Sequence, residues 1–98
     1  MNGPLTLREL QAYIRKTDHD PEQKHHYFYK LIEEVGELSE VMRKQRRMEA
    51  NGGTIKGTIE EELYDVLYYV AAIANVHDID LERCFHLKEE INRVKWSK

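Results

Sequence analysis

The residues of this 98-residue chain best suited to chemistry are carboxylates. Glu33, Glu34, Glu37 and Glu40 fall within residues 33–40, and Glu60, Glu61, Glu62 and Asp65 fall within 58–65. Neither window holds Lys or Arg, so together they carry −8, whereas the other 82 residues hold 10 acids and 15 bases, or +5. Glu34 and Glu37 are three apart, as are Glu62 and Asp65. Residues at that spacing are neighbours on a helix, with Cβ atoms roughly 5–6 Å apart. If two such helices pack, the pairs can meet in the groove between them. Two charges 5 Å apart repel by roughly 3 kcal/mol at an effective dielectric of about 20. A fold tolerates that if something positive fills the gap. Carboxylates without Cys or paired His suit a hard cation, Mg²⁺ or Mn²⁺ as its substitute. The chemistry implied is phosphoryl or nucleotidyl hydrolysis. A plainer reading stands beside it. Glu60, Glu61 and Glu62 could answer a helix N-terminal dipole, and Glu33, Glu37 and Glu40 could be a solvated face.

The elements that must position these acids are helical. Thr6 with Glu9, Asp20 with Gln23 and Thr58 with Glu61 each read as a capping box. Pro21 suits a first helical position, and Asp80 starts a fourth helix before Leu81. The predicted helices are 6–17, 21–49, 58–76 and 80–96, in one domain spanning 1–98, with a glycine-marked loop at 51–57. Leu31, Val35, Leu38 and Met42 form one apolar stripe, and Leu63, Val66, Leu67, Val70 and Ala74 another. A helix over 21–49 would reach about 40 Å, against a radius of gyration near 13 Å for a globule of this length. It should project past Met42, where a second chain would cover it.

Composition narrows the function further. The single Cys84 excludes an internal disulfide framework and suits a reducing cytoplasm. The stretch from Met1 to Thr6 lacks a signal peptide's basic and apolar regions. The longest apolar run, Val66 to Ala74, is nine residues, and a membrane span needs about 20. Net charge −3 argues against nucleic acid as the main partner.

Leu31-Ile32-Glu33-Glu34-Val35-Gly36-Glu37-Leu38, followed by Glu61-Glu62-Leu63-Tyr64-Asp65, resembles the MazG-type all-α nucleoside triphosphate pyrophosphohydrolases, whose pattern is EExxE and then ExxD. Ala74-Asn75, Ile79-Asp80-Leu81-Glu82 and a last helix with Lys88, Asn92 and Arg93 look similar too. The resemblance implies cleavage between the α- and β-phosphates, giving a monophosphate and pyrophosphate, with a role in nucleotide-pool housekeeping. By position, Glu34, Glu37, Glu62 and Asp65 would hold Mg²⁺, with Glu33 in support. It also implies a helical bundle completed by oligomerisation, as a dimer or tetramer. Lys30, Lys88 and Arg93 are then candidate phosphate contacts, Asn75 a candidate for sugar, base or phosphate, and Tyr69 for stacking on the base. The plainer readings are a Lys30 pair with Glu33 or Glu34, an Asn75 cap on the third helix, and an exposed face for Lys88 and Arg93. Phosphoribosyl-ATP pyrophosphohydrolase is the nearest alternative activity. A non-catalytic helical module binding metal or nucleotide is the alternative of another class.

Other features are weaker. His25 and His26 are adjacent and cannot share a helix face. Glu22 and His25 form a single ExxH, where di-iron bundles use two. Arg43-Lys44-Gln45-Arg46-Arg47 would suit a nucleic acid or phosphates, but a helix C-terminus already favours cations.

Overall fold

A computed structural model describes residues 3–96. Met1 and Asn2, where the signal-peptide reading begins, lie outside it, as do Ser97 and Lys98. Four α-helices run α1 Leu7–Thr17, α2 Lys24–Arg43, α3 Ile59–Val76 and α4 Leu81–Trp96. Short 3₁₀ turns, Pro21–Gln23 and Met48–Asn51, precede and follow α2. Among the described residues there is no strand.

The caps work largely as their residue types dictate. Thr6 and Glu9 form a reciprocal capping box at the start of α1. At α3 the Thr58 hydroxyl accepts from Glu61 N–H at 3.2 Å and donates to the Ile55 carbonyl. Asp20 instead accepts from Glu22 N–H, so the chain makes a 3₁₀ turn before α2 begins at Lys24.

The expected helix over 21–49 is too long at its far end. α2 stops at Arg43 because Gln45 adopts a left-handed backbone, φ 54°. Arg46 N–H then bonds back to Val41 C=O, and Gln45 N–H to Met42 C=O, both at 3.0 Å. This is a Schellman ending, commonly marked by glycine. α3 ends the same way, with Asp78 at φ 55° and Ile79 N–H bonded to Ala74 C=O at 2.8 Å. Neither position is glycine; the end of α3 still falls at the expected residue 76, whereas the end of α2 does not show in composition. The projection of α2 past Met42 is therefore absent.

α2 and α3 form the principal packed pair, α1 lies against α3, and α4's main contact is with α1. The core is small: Leu10, Ile14, Tyr27, Ala71, Ala72 and Val76, flanked by Tyr68, Tyr69, Ile73 and Leu81. The expected stripes sit partly outside it. Tyr27 and Val41 are the buried residues of α2, while Val35 and Met42 are about half exposed. On α3, Leu63 and Leu67 are exposed. The inward face of α2 is thus rotated toward Tyr27, Leu31, Glu34, Leu38 and Val41, which step by four, three, four and three. An acid therefore sits within the packed face rather than at its border. The radius of gyration is 15.8 Å, above the ~13 Å of a compact chain this long. Helix α4 accounts for much of this, with Phe85, Leu87, Ile91 and Val94 each at least half exposed.

Candidate metal and nucleotide site

The first turn of α3 carries three acids in a row, and the fold treats them differently. Glu60 accepts from Arg47 Nε at 2.8 Å and from Met48 N–H at 2.9 Å. Glu61 accepts from Gly57 N–H at 2.7 Å. Glu62 turns inward, is buried, and its Oε2 has no hydrogen-bond partner. The buried Thr58 cap sets this phase by fixing where α3 starts. One turn on, Asp65 lies on the same side, and Glu34 faces both from α2. One carboxylate oxygen from each of Glu34, Glu62 and Asp65 lies within 4.8 Å of the others. Among the described residues, none of the three joins an ion pair.

The electrostatic strain is visible in the acids themselves. Burial, then the neighbouring Glu34, and then Asp65 and Glu61 push the Glu62 carboxyl up to about 7. Burial, followed by the charges of Glu34 and Glu61, raises Asp65 as well. A site of oxygen donors alone, crowded with negative charge and holding an orphaned buried carboxylate oxygen, fits a hard divalent cation.

A cavity of about 500 Å³ adjoins these acids, lined by Tyr13, Thr17, Glu34, Tyr64, Asp65, Tyr68 and Tyr69. Glu34 and Asp65 thus belong to both the acidic group and the cavity wall. Tyr69 is partly buried, with its hydroxyl raised chiefly by burial. Four tyrosines and an adjoining acidic centre suit a flat ring attached to an anionic tail.

The remaining candidates are spread more widely. Lys30 binds Glu33 at 3.1 Å, and that pairing holds its ammonium above the usual lysine range. Glu33 and Glu37 are exposed, and Glu37 is not among the three converging carboxylates. Asn75 is 2% exposed, and Gln11 engages both ends of its amide: Gln11 Nε2 donates to Asn75 Oδ1 at 3.0 Å, and Asn75 Nδ2 donates to Gln11 C=O at 2.9 Å. Asn75 therefore ties α3 to α1. Lys88 and Arg93 are exposed on α4, whose main contact is with α1 rather than with the helices that carry the acids.

Tyr13 and Thr17 carry no motif and escape a sequence reading. So does Asp18, which accepts from Tyr27 Oη at 2.8 Å and from Tyr68 Oη at 2.5 Å. These bonds hold the end of α1 against α2 and α3, and so hold Thr17 at the cavity. Only the acid's place between two helices hinted at a cap.

An all-α chain presenting carboxylates from two packed helices beside an aromatic cavity has the donor set of a site that could hold a cation beside a nucleotide. Comparison makes this specific. The model of the MazG nucleotide pyrophosphohydrolase domain matches residues 22–95. Among solved structures, Ntag-iMazG from Vibrio DAT 722 is 50% identical over 96% of this chain and 100% of the other, with a TM-score of 0.84. Ctag-iMazG from the same source is 51% identical over 91% of this chain and 99% of the other, with a TM-score of 0.82. No curated protein sequence compared with it matches. The chain belongs to the MazG family and is a nucleoside triphosphate pyrophosphohydrolase.

Proposed function

We propose that the chain hydrolyses a nucleoside or deoxynucleoside triphosphate between the α- and β-phosphates, in a Mg²⁺-dependent reaction that Mn²⁺ also supports. The observation that carries this reading is the convergence of Glu34, Glu62 and Asp65 within 4.8 Å, with Glu62 Oε2 buried and unpartnered. These three would hold the cation, with Glu37 one helical turn from Glu34 as a further ligand and Glu33 beside it in support. Bound there, the cation supplies positive charge against the phosphates and makes water easier to deprotonate. The protein's own part is to place the substrate. Tyr69 stacks on the base, Tyr13, Thr17, Tyr64 and Tyr68 enclose the nucleoside, and the α-phosphate lies over Glu34 and Asp65. Lys30, already beside Glu33, contributes a phosphate contact.

Assembly completes the site in this reading. Phe28, Ile32, Val35 and Met42 on α2 and Leu63 and Leu67 on α3 leave apolar area exposed, as does α4. A homo-oligomer, dimer or tetramer, covers it and allows Lys88 and Arg93 of another copy to approach the phosphates. A cytoplasmic place in nucleotide-pool housekeeping fits such an enzyme. Among the described residues no helix is long and apolar enough to cross a membrane.

The test is a panel of canonical and deoxy triphosphates, with purified protein, with Mg²⁺, Mn²⁺ or chelator, reading monophosphate and pyrophosphate separately. Turnover that survives chelation defeats the metal assignment. Silence across the panel defeats the substrate class. Sedimentation showing a stable monomer that is still active defeats the assembly.

A further inference from the structure

The basic run Arg43 to Arg47 is not absorbed by the catalytic reading. In the structure it joins a cavity of about 280 Å³ at the α2–α3 connection, lined by Lys44, Gln45, Arg46, Arg47, Ala50, Asn51, Lys56 and Gly57. Four of those residues are cations and none is an acid. Two of the cations are matched from outside the cavity, Lys44 by Glu40 at 3.4 Å and Arg47 by Glu60 at 2.8 Å. Arg46 and Lys56 join no ion pair among the described residues.

The helix dipole explains only part of this. Lys44 caps the C-terminus of α2, where a cation is favourable. Arg46 and Arg47 lie beyond the Schellman turn, and Lys56 comes ten residues after Arg46. A well-tied loop brings them together. Ile59 N–H bonds to Arg46 C=O at 2.8 Å, and the Asn51 amide donates to the Thr54 and Lys56 carbonyls at 3.1 Å each. Gln45 holds its left-handed backbone at the mouth of the same cavity.

We propose that this cavity is a second anion site, separate from the acidic centre, for two linked phosphate groups, as free pyrophosphate or as the tail of a nucleotide. Two unmatched cations balance a dianionic face, and Arg46 can grip phosphate oxygens through its planar fork. A long nucleic acid fits less well, because the cations line one small cavity on a chain of net charge −3 rather than a broad stripe. The site also touches the catalytic end. Arg47 and Met48 N–H hold Glu60, two residues before Glu62, and Gly57 N–H holds Glu61. Occupancy of the loop thus bears on the start of α3, and release of pyrophosphate supplies a ligand for feedback. Binding itself does not depend on the catalytic ligand assignment.

The test titrates the ¹⁵N-labelled full chain, in chelator at constant ionic strength, with inorganic pyrophosphate and separately with a nucleoside triphosphate. Saturable amide shifts at Gln45, Arg46, Asn51 and Gly57 are expected. They should weaken at least tenfold in Arg46→Gln/Lys56→Gln, whose helical circular dichroism and basal turnover stay unchanged. Response to pyrophosphate alone makes the free anion the ligand, and an equal response to the triphosphate makes it the tail. Glu62→Gln must keep the loop response while losing turnover, which separates this site from the catalytic one. Absent shifts overturn the proposal, as do equal shifts in the double variant. Displacement of pyrophosphate by a single-stranded oligonucleotide at much lower concentration assigns the surface to nucleic acid and overturns it too.

Discussion

Acids at the two ends of the helical pair meet opposite treatment. Toward the α1 side, Asp18 accepts from two tyrosine hydroxyls, Asp80 accepts from Arg8 Nε at 2.9 Å, and Glu82 accepts from Arg8 N–H at 2.9 Å. At the start of α3, Glu34, Glu62 and Asp65 converge, and none of them joins an ion pair among the described residues. The first set joins elements of the fold. The second is a charge that folding alone leaves unbalanced. Burying an acid without a partner costs stability, so its persistence points to use rather than to architecture.

This contrast can be broken most sharply at Asp65. Asp65→Asn should lower triphosphate turnover by at least ~100-fold, the upper end of what changes around metal ligands cost. Its metal-free unfolding free energy should hold or rise, because a mutual repulsion is relieved. A variant that keeps turnover, or that loses it only by unfolding, would remove the distinction between the two ends.

Metal linkage comes next. Mg²⁺ at 100 times its Kd should stabilise the wild-type chain by about 2.7 kcal/mol. For a domain near 100 residues, each kcal/mol is worth roughly 4–8 °C in Tm. Glu62→Gln should lose most of that rise in a thermal melt, whereas Asp18→Ala should keep it. An equal Mg²⁺ response in wild type and Glu62→Gln contradicts the assignment.

The structural end is sharpened by Asp18→Ala itself. Two tyrosine hydroxyls lose their acceptor, and a loss of about 2 kcal/mol is expected in urea unfolding, since a buried unpaired donor costs about 1–3 kcal/mol. Asp65→Asn should show no such loss.

The smallest effect expected is in pH. Folding lifts Glu62 from the ordinary 4.5 to about 7, so between those values the folded chain holds a proton that the unfolded chain has released. Metal-free stability should therefore be greater at the acid end of that window and fall as pH rises through it. Glu62→Gln should lack that component when denaturant midpoints are compared at pH 5 and pH 8.

Much of the site was legible because helical spacing is rigid. Glu34, Glu62 and Asp65 could be nominated from two three-residue intervals and a charge imbalance, and the MazG resemblance rests on the same residues. Glu37 shares the motif but is exposed and lies outside the converging three, because the inward face of α2 passes through Tyr27, Glu34 and Val41. Periodicity gives a face to within a residue, and one residue is about 100° of rotation. The early end of α2 was hidden for another reason. Gln45 does at its Schellman turn what glycine usually signals.

Helix type and number, and the starts of α1, α3 and α4, were thus determined by the chain's own local chemistry, because a Thr or Asp acceptor and its nearby backbone donor lie within a few residues of each other. Tertiary packing decided the rest. It chose which acids lost their water, brought Tyr13 and Thr17 of α1 to the same cavity as Asp65, and gathered Arg46 with Lys56. Those outcomes depend on side chains far apart in sequence, and no local interval encodes the angle at which two helices meet.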